Sequence, residues 1–171
     1  YTGLVSDGRN HFTHAHDSAQ LYKFGQENPY VEAFFKWWES DLHRTLDELR
    51  ITGGEPLMSG YTWKLIDWFK QNKGKSKTRL AINSNLGDDE KVTQLIDAFR
   101  DTDIELDLYT SVEAWGERAS YIRDGMDWNA WHSTFFRLIS GVAGKDQRGG
   151  VTWKHPVRKV HVMCTINALC V

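Results

Sequence analysis

The residues with the clearest chemistry lie at positions 53–56. Leu49, Arg50, Ile51, Thr52, Gly53, Gly54, Glu55 and Pro56 read as a short strand ending in a tight glycine turn with a carboxylate at its tip. Two adjacent glycines let the backbone approach a ligand closely and present N–H groups unshielded by a Cβ. A small polar molecule carrying an ammonium group suits such a turn. A second group, His11, His14 and His16 followed by Asp17, sets imidazoles close together, and neutral imidazoles at that spacing can share a divalent metal. Its blander reading is a polar loop.

The elements that must position these residues alternate along the chain. Val31, Phe34, Phe35, Trp38, Leu42 and Leu46 form one apolar face of a helix opened by Pro29, and a strand from Leu49 to Gly53 follows. Tyr61, Leu65, Ile66 and Phe69 predict the next helix, and Arg79 to Asn83 the next strand. Asp88 and Asp89 cap a helix carrying Val92, Leu95, Ile96 and Phe99. A strand over Ile104 to Val112, a helix from Asp127 through Val142 and a last strand over Lys159 to Ile166 complete the order. Strands that alternate with amphipathic helices pair in parallel through right-handed crossovers, so the chain reads as α/β. Ligands of such sheets collect beyond the carboxyl ends of the strands. Those ends are Gly53 to Glu55, Asn83 to Asn85, Ser111 to Glu113 and Thr165 to Asn167, and all four groups are polar or glycine-rich. Turn and cap chemistry accounts for part of that pattern.

Gly53-Gly54-Glu55-Pro56 resembles the motif that ends the second strand of the radical S-adenosylmethionine (radical SAM) superfamily. Ser111, Val112 and Glu113, with Arg123 ten residues beyond Glu113, resemble the same superfamily's pattern at its fourth strand. The resemblance implies a partial (β/α) barrel with parallel strands, truncated relative to the usual six-stranded partial TIM barrel. It also implies that Gly53, Gly54, Glu55 and Pro56 bind the methionine amino group of the cofactor. Ser111 and Arg123 would take the methionine carboxylate, for which a guanidinium fork has the right geometry. Glu113 would reach the ribose, and Asn85 and Asn167 would contact ribose or adenine. The intact protein is then expected to cleave S-adenosylmethionine reductively, with a 4Fe-4S cluster, to a 5'-deoxyadenosyl radical that abstracts hydrogen from an unknown substrate.

One departure is serious. The superfamily holds its cluster on Cys-x3-Cys-x2-Cys, because three thiolates bind three irons and leave the fourth open. Only Cys164 and Cys170 occur here, with five residues between them, and both read as core or incidental thiols. No cluster is expected in this chain, which by itself should be inert. The expectation is a fragment, a single incomplete domain over 1–171, with 1–46 a leading loop and helix and 47–171 the βα repeat core. The rival is a metal-dependent amidohydrolase-like barrel fragment using His11, His14 and His16, although those histidines do not follow an apolar strand. A non-catalytic α/β binding module is the third class.

Composition bounds these readings. The chain has 171 residues, 40% hydrophobic and 26% charged, with a net charge of −2, so no general electrostatic case for nucleic acid or an anionic membrane arises. No apolar run reaches the roughly 18 residues of a membrane span, and two cysteines make no disulfide framework. A cytoplasmic location is the expectation. Eight tryptophans are many for this length, and most fall at helical spacing, where core packing is the first reading. Trp115, two positions past Glu113, would instead stack on a ligand or anchor a partner. Exposed strand edges favour self-association.

Overall fold

The computed structural model describes residues 4–6, 12–14, 28–100, 102–143 and 156–166, the first two segments as backbone only. The chain divides into two compact units, Tyr1–Glu39 and Ser40–Val171. In the first, β1 (Leu4–Ser6) pairs antiparallel with β2 (Phe12–His14), and α1 spans Pro29–Trp37. The segment around His14 is therefore a short paired strand at Phe12–His14 rather than a loop. Asn28 caps α1 by accepting from the Tyr30 N–H, and Pro29 sits where its missing N–H costs nothing. The single helix expected from Val31 to Leu46 is interrupted. A π-helical turn at Trp38–Leu42 follows α1 and leads to one turn at His43–Thr45, which re-phases the apolar stripe so that Leu42 and His43 are both buried.

The second unit is built on β3 (Glu48–Ile51), β4 (Arg79–Asn83), β5 (Leu106–Ser111) and β6 (Val157–Met163). They form one four-stranded, all-parallel sheet in the order of the sequence. The sheet is not closed into a barrel. Between the strands lie α2 (Gly60–Gln71), α3 (Asp89–Phe99), α4 (Glu117–Ile122) and α5 (Trp128–Ala143). Asp88 caps α3 through the Lys91 N–H, and Asp127 opens α5 by accepting from Asn129 and Ala130. The six-residue α4 has no counterpart in the sequence expectation, because it buries only Ala119 and so shows no apolar stripe.

Helices α2, α3 and α5 pack neighbour to neighbour. Phe69 of α2 and Phe99 of α3 meet at 5.9 Å between ring centroids, and Trp131 of α5 donates its indole N–H to Thr110 of β5 at 3.0 Å. The strand residues Leu80, Ile82, Leu106 and Leu108 are fully buried on the same side as Thr110. No helix among the described residues is long and apolar enough to cross a membrane.

Candidate functional site

The parallel sheet brings the carboxyl ends of all four strands to one rim. There, Gly53 and Gly54 follow β3 with φ of +90° and +51°, values that side chains disfavour. A Cβ built on either would meet nothing within 4 Å, so the turn faces open space. That space is a cleft of about 160 Å³ lined by Gly53, Gly54, Asn83, Ser84, Asn85, Tyr109, Ser111, Arg123 and Met163. A second hollow of about 230 Å³ shares Asn85, Ser111 and Arg123 with it and extends to Asp127 and Trp131.

Glu55 does not line the cleft. Its Oε1 accepts from the Leu57 N–H at 3.2 Å, capping the 3-10 turn Pro56–Met58, and its Oε2 accepts from the Asn85 N–H at 2.6 Å. The carboxylate thus ties the end of β3 to the loop after β4, and Pro56 is buried in the 3-10 turn. Asn85 turns its own Oδ1 to the Gly87 N–H at 2.8 Å, and Ser84 Oγ accepts from the Leu86 N–H at 3.1 Å. Leu86, at φ +54° and fully buried, is the non-glycine residue held in the left-handed region within this loop.

Arg123 closes the opposite side as the C-cap of α4, in extended backbone rather than within a helix. Its Nη1 donates to the Ser111 carbonyl at 2.7 Å and to both Glu113 carboxylate oxygens at 3.3 Å. Among the described residues, Nε and Nη2 have no partner, which leaves the side-on edge of the guanidinium available to an anion. Ser111, Glu113 and Arg123 are therefore together, with Glu113 engaged by Arg123. Asn167, His11 and His16 lie outside the described residues, and of His14 only the backbone is described. Among the described residues no group of three or more metal-ligating side chains occurs. Cys164 is exposed, not core, with Sγ 3.9 Å from the Glu113 carbonyl. Trp115 is exposed and packs edge-on against Trp128 at 4.6 Å.

Below the rim, the face of the sheet turned away from Leu80 and Leu108 carries a charge network absent from the sequence reading. Glu48 accepts from Arg79 and Arg50, and Asp107 is gripped by both nitrogens of the Arg158 fork, with Arg79 at 3.8 Å and His161 Nε2 at 4.0 Å. A register shift between Leu106 and Asp107 brings Arg158 to that carboxylate. Arg79, then Arg50, holds the Glu48 carboxyl below its ordinary range. Burial pushes the Asp107 carboxyl up, but Arg158, Arg79 and His161 together outweigh it and hold it low. Arg50 reaches across fully buried Ala81 to lie over Tyr109 at 4.3 Å and donate to its hydroxyl at 3.0 Å, while His161 stacks on that ring at 4.3 Å. Alternation along Glu105, Asp107 and Tyr109 marks the polar side in the sequence, but its partners Arg50, Arg79, Arg158 and His161 lie on other strands, far along the chain.

Comparison with family models, with characterised proteins and with solved structures finds no match for this chain.

Proposed function

We propose that this chain is the methionine-binding part of a radical SAM partial (β/α) barrel. The observation that carries the proposal is the sharing of one small cleft by Gly53 and Gly54 after β3, Ser111 at the end of β5, two strands separated by β4, and Arg123 at the end of α4. The sequential parallel order supports the barrel reading. Right-handed crossovers between strands taken in order put successive helices on one face, whereas a doubly wound sheet reverses its order.

The cleft fits the amino-acid end of S-adenosylmethionine. The glycine turn is open, and the free edge of Arg123 suits a carboxylate. Arg123 would grip that carboxylate with Ser111 beside it, and Glu55 would keep the turn in place through its bonds to Leu57 and Asn85. In the superfamily, S-adenosylmethionine bound to a 4Fe-4S cluster supplies a 5'-deoxyadenosyl radical. The cluster does not fit this chain, since two cysteines at 164 and 170 cannot supply three thiolates at the required spacing. No cleavage step is assigned to it. Anaerobic reconstitution with iron and sulfide should yield no stable 4Fe-4S chromophore, and a stoichiometric cluster by absorption and iron analysis would contradict this.

Without iron to chelate the amino and carboxylate groups, binding should be no tighter than about the high micromolar range. Amide resonances recorded during titration with millimolar S-adenosylmethionine test the proposal. Shifts centred on Gly53, Gly54, Asn85 and Ser111 that vanish in Arg123→Ala are expected. Shifts confined to another surface, or insensitive to Arg123→Ala, would overturn it.

A further inference from the structure

We propose that Glu113 is a positioning residue: it fixes the Arg123 guanidinium so that one edge is offered to an anion in the cleft, and it does not itself touch the ligand. This rests on reading the cleft as a carboxylate site. The protein saturates a single nitrogen of Arg123. The hydrogens of Nη1 go to the Ser111 carbonyl at 2.7 Å and to the Glu113 carboxylate, whose two oxygens both lie at 3.3 Å. A guanidinium is planar, so holding one nitrogen at two points fixes the plane. The Nε–Nη2 edge then remains for the cleft that Arg123 lines.

Both ends of this contact are anchored. Glu113 follows Val112, whose N–H donates to the Met163 carbonyl at 3.1 Å, and its side chain is only 12% exposed. Arg123 ends α4 with its own N–H on the Ala119 carbonyl and its carbonyl accepting from the Met126 N–H, both at 3.0 Å. The helix between them buries only Ala119, so packing alone gives the arginine little anchorage. Without Glu113, Nη1 keeps the Ser111 carbonyl as a single pivot, and a long side chain on one pivot regains rotamer freedom. Charge and position make opposite predictions here. Glu113 sets a negative charge beside the cation that is to receive a carboxylate, so by Coulomb attraction alone its removal tightens anion binding. A residue that holds the guanidinium in place has the reverse effect, because its removal loosens binding. The resemblance gives Glu113 a ribose contact, whereas in the structure both of its oxygens are turned to Arg123.

The test titrates the full chain with S-adenosylmethionine and follows amide chemical shifts. Glu113→Ala should weaken binding about fivefold or more, whereas Glu113→Gln, which keeps an acceptor for Nη1 without the charge, should stay within about twofold of the unaltered chain. Tighter or unchanged binding in Glu113→Ala overturns the proposal. Equal loss in both variants would show direct ionic contact with the ligand and overturns it too. The ligand-free guanidinium provides a second readout, independent of the cofactor reading. Nitrogen-15 spectra of the arginine side chains at low temperature should show separate, hindered Nη1 protons for Arg123, averaged in Glu113→Ala and retained in Glu113→Gln. Signals that stay separate in Glu113→Ala would show that the Ser111 carbonyl suffices, and the proposal falls. An unaltered chain that does not bind S-adenosylmethionine overturns the carboxylate reading of the cleft, and the guanidinium spectra then decide alone whether Glu113 fixes Arg123.

Discussion

The two faces of the four-stranded sheet are made of alternate residues of the same strands, yet they have opposite chemistry. On one, Leu80, Ile82, Leu106 and Leu108 are sealed beneath α2, α3 and α5. On the other, Glu48, Arg50, Arg79, Asp107, Tyr109 and His161 make ion pairs and ring stacks while several remain a third or more exposed. Burying hydrocarbon explains the first face completely. The second is harder to justify by stability, because ionic pairs near a surface return little and cost side-chain entropy. The polar face also leads to the rim where the glycine turn opens, which places the chain's unexplained polarity next to its candidate site.

Substitutions on the two faces should separate sharply. Leu108→Ala, at a fully buried position on the helix-covered face, should cost about 2–5 kcal/mol in denaturant unfolding, whereas Ser111→Ala at the rim should stay within about 0.5 kcal/mol. Similar costs for both would erase the distinction between the faces. Next in size is Asp107→Asn, with an expected loss of about 1–3 kcal/mol, because Arg158 would face a neutral partner from a buried site.

The same network, together with the separate Asp89–Arg137 pair between α3 and α5, predicts the pH response. Glu48, Asp89 and Asp107 have folded-state carboxyls held below their ordinary values, Asp89 chiefly by its hydrogen bond from Arg137. Their contribution is present above the unfolded carboxylate range and is lost as pH falls through the lowered folded values. Unfolding midpoints should therefore decline below about pH 4, and Asp107→Asn should flatten that decline. An unchanged slope in the variant would show that Asp107 does not titrate as described.

Gly54→Ala should cost about 1–2 kcal/mol through backbone strain alone, since φ is +51° and the space above is empty. Among the charged residues, the smallest effect should come from Arg137→Ala. Its pair with Asp89 is exposed on both sides, so a loss of under about 1 kcal/mol that shrinks with added salt is expected.

What was legible in the sequence follows the same division. Leu80 and Ile82, or Val92, Leu95, Ile96 and Phe99, announce their elements because burial imposes a period of two or of 3.6 on residue type. Asp88 and Asp127 announce helix starts because capping is local. The grip of Arg158 on Asp107 joins residues 51 apart through a register shift, and no local pattern encodes it. Asn83 was legible as one of a strand-end group, as a turn residue would be, but only the surrounding hydrogen bonds show that its carbonyl oxygen has no partner among the described residues.

A crystal structure of the chain soaked with S-adenosylmethionine tests the central claim most directly. The methionine carboxylate should lie within hydrogen-bond distance of the free edge of Arg123, with the amino group over Gly53 and Gly54. A cofactor bound away from this cleft, or lying in it with no contact to Arg123, would contradict the proposed function.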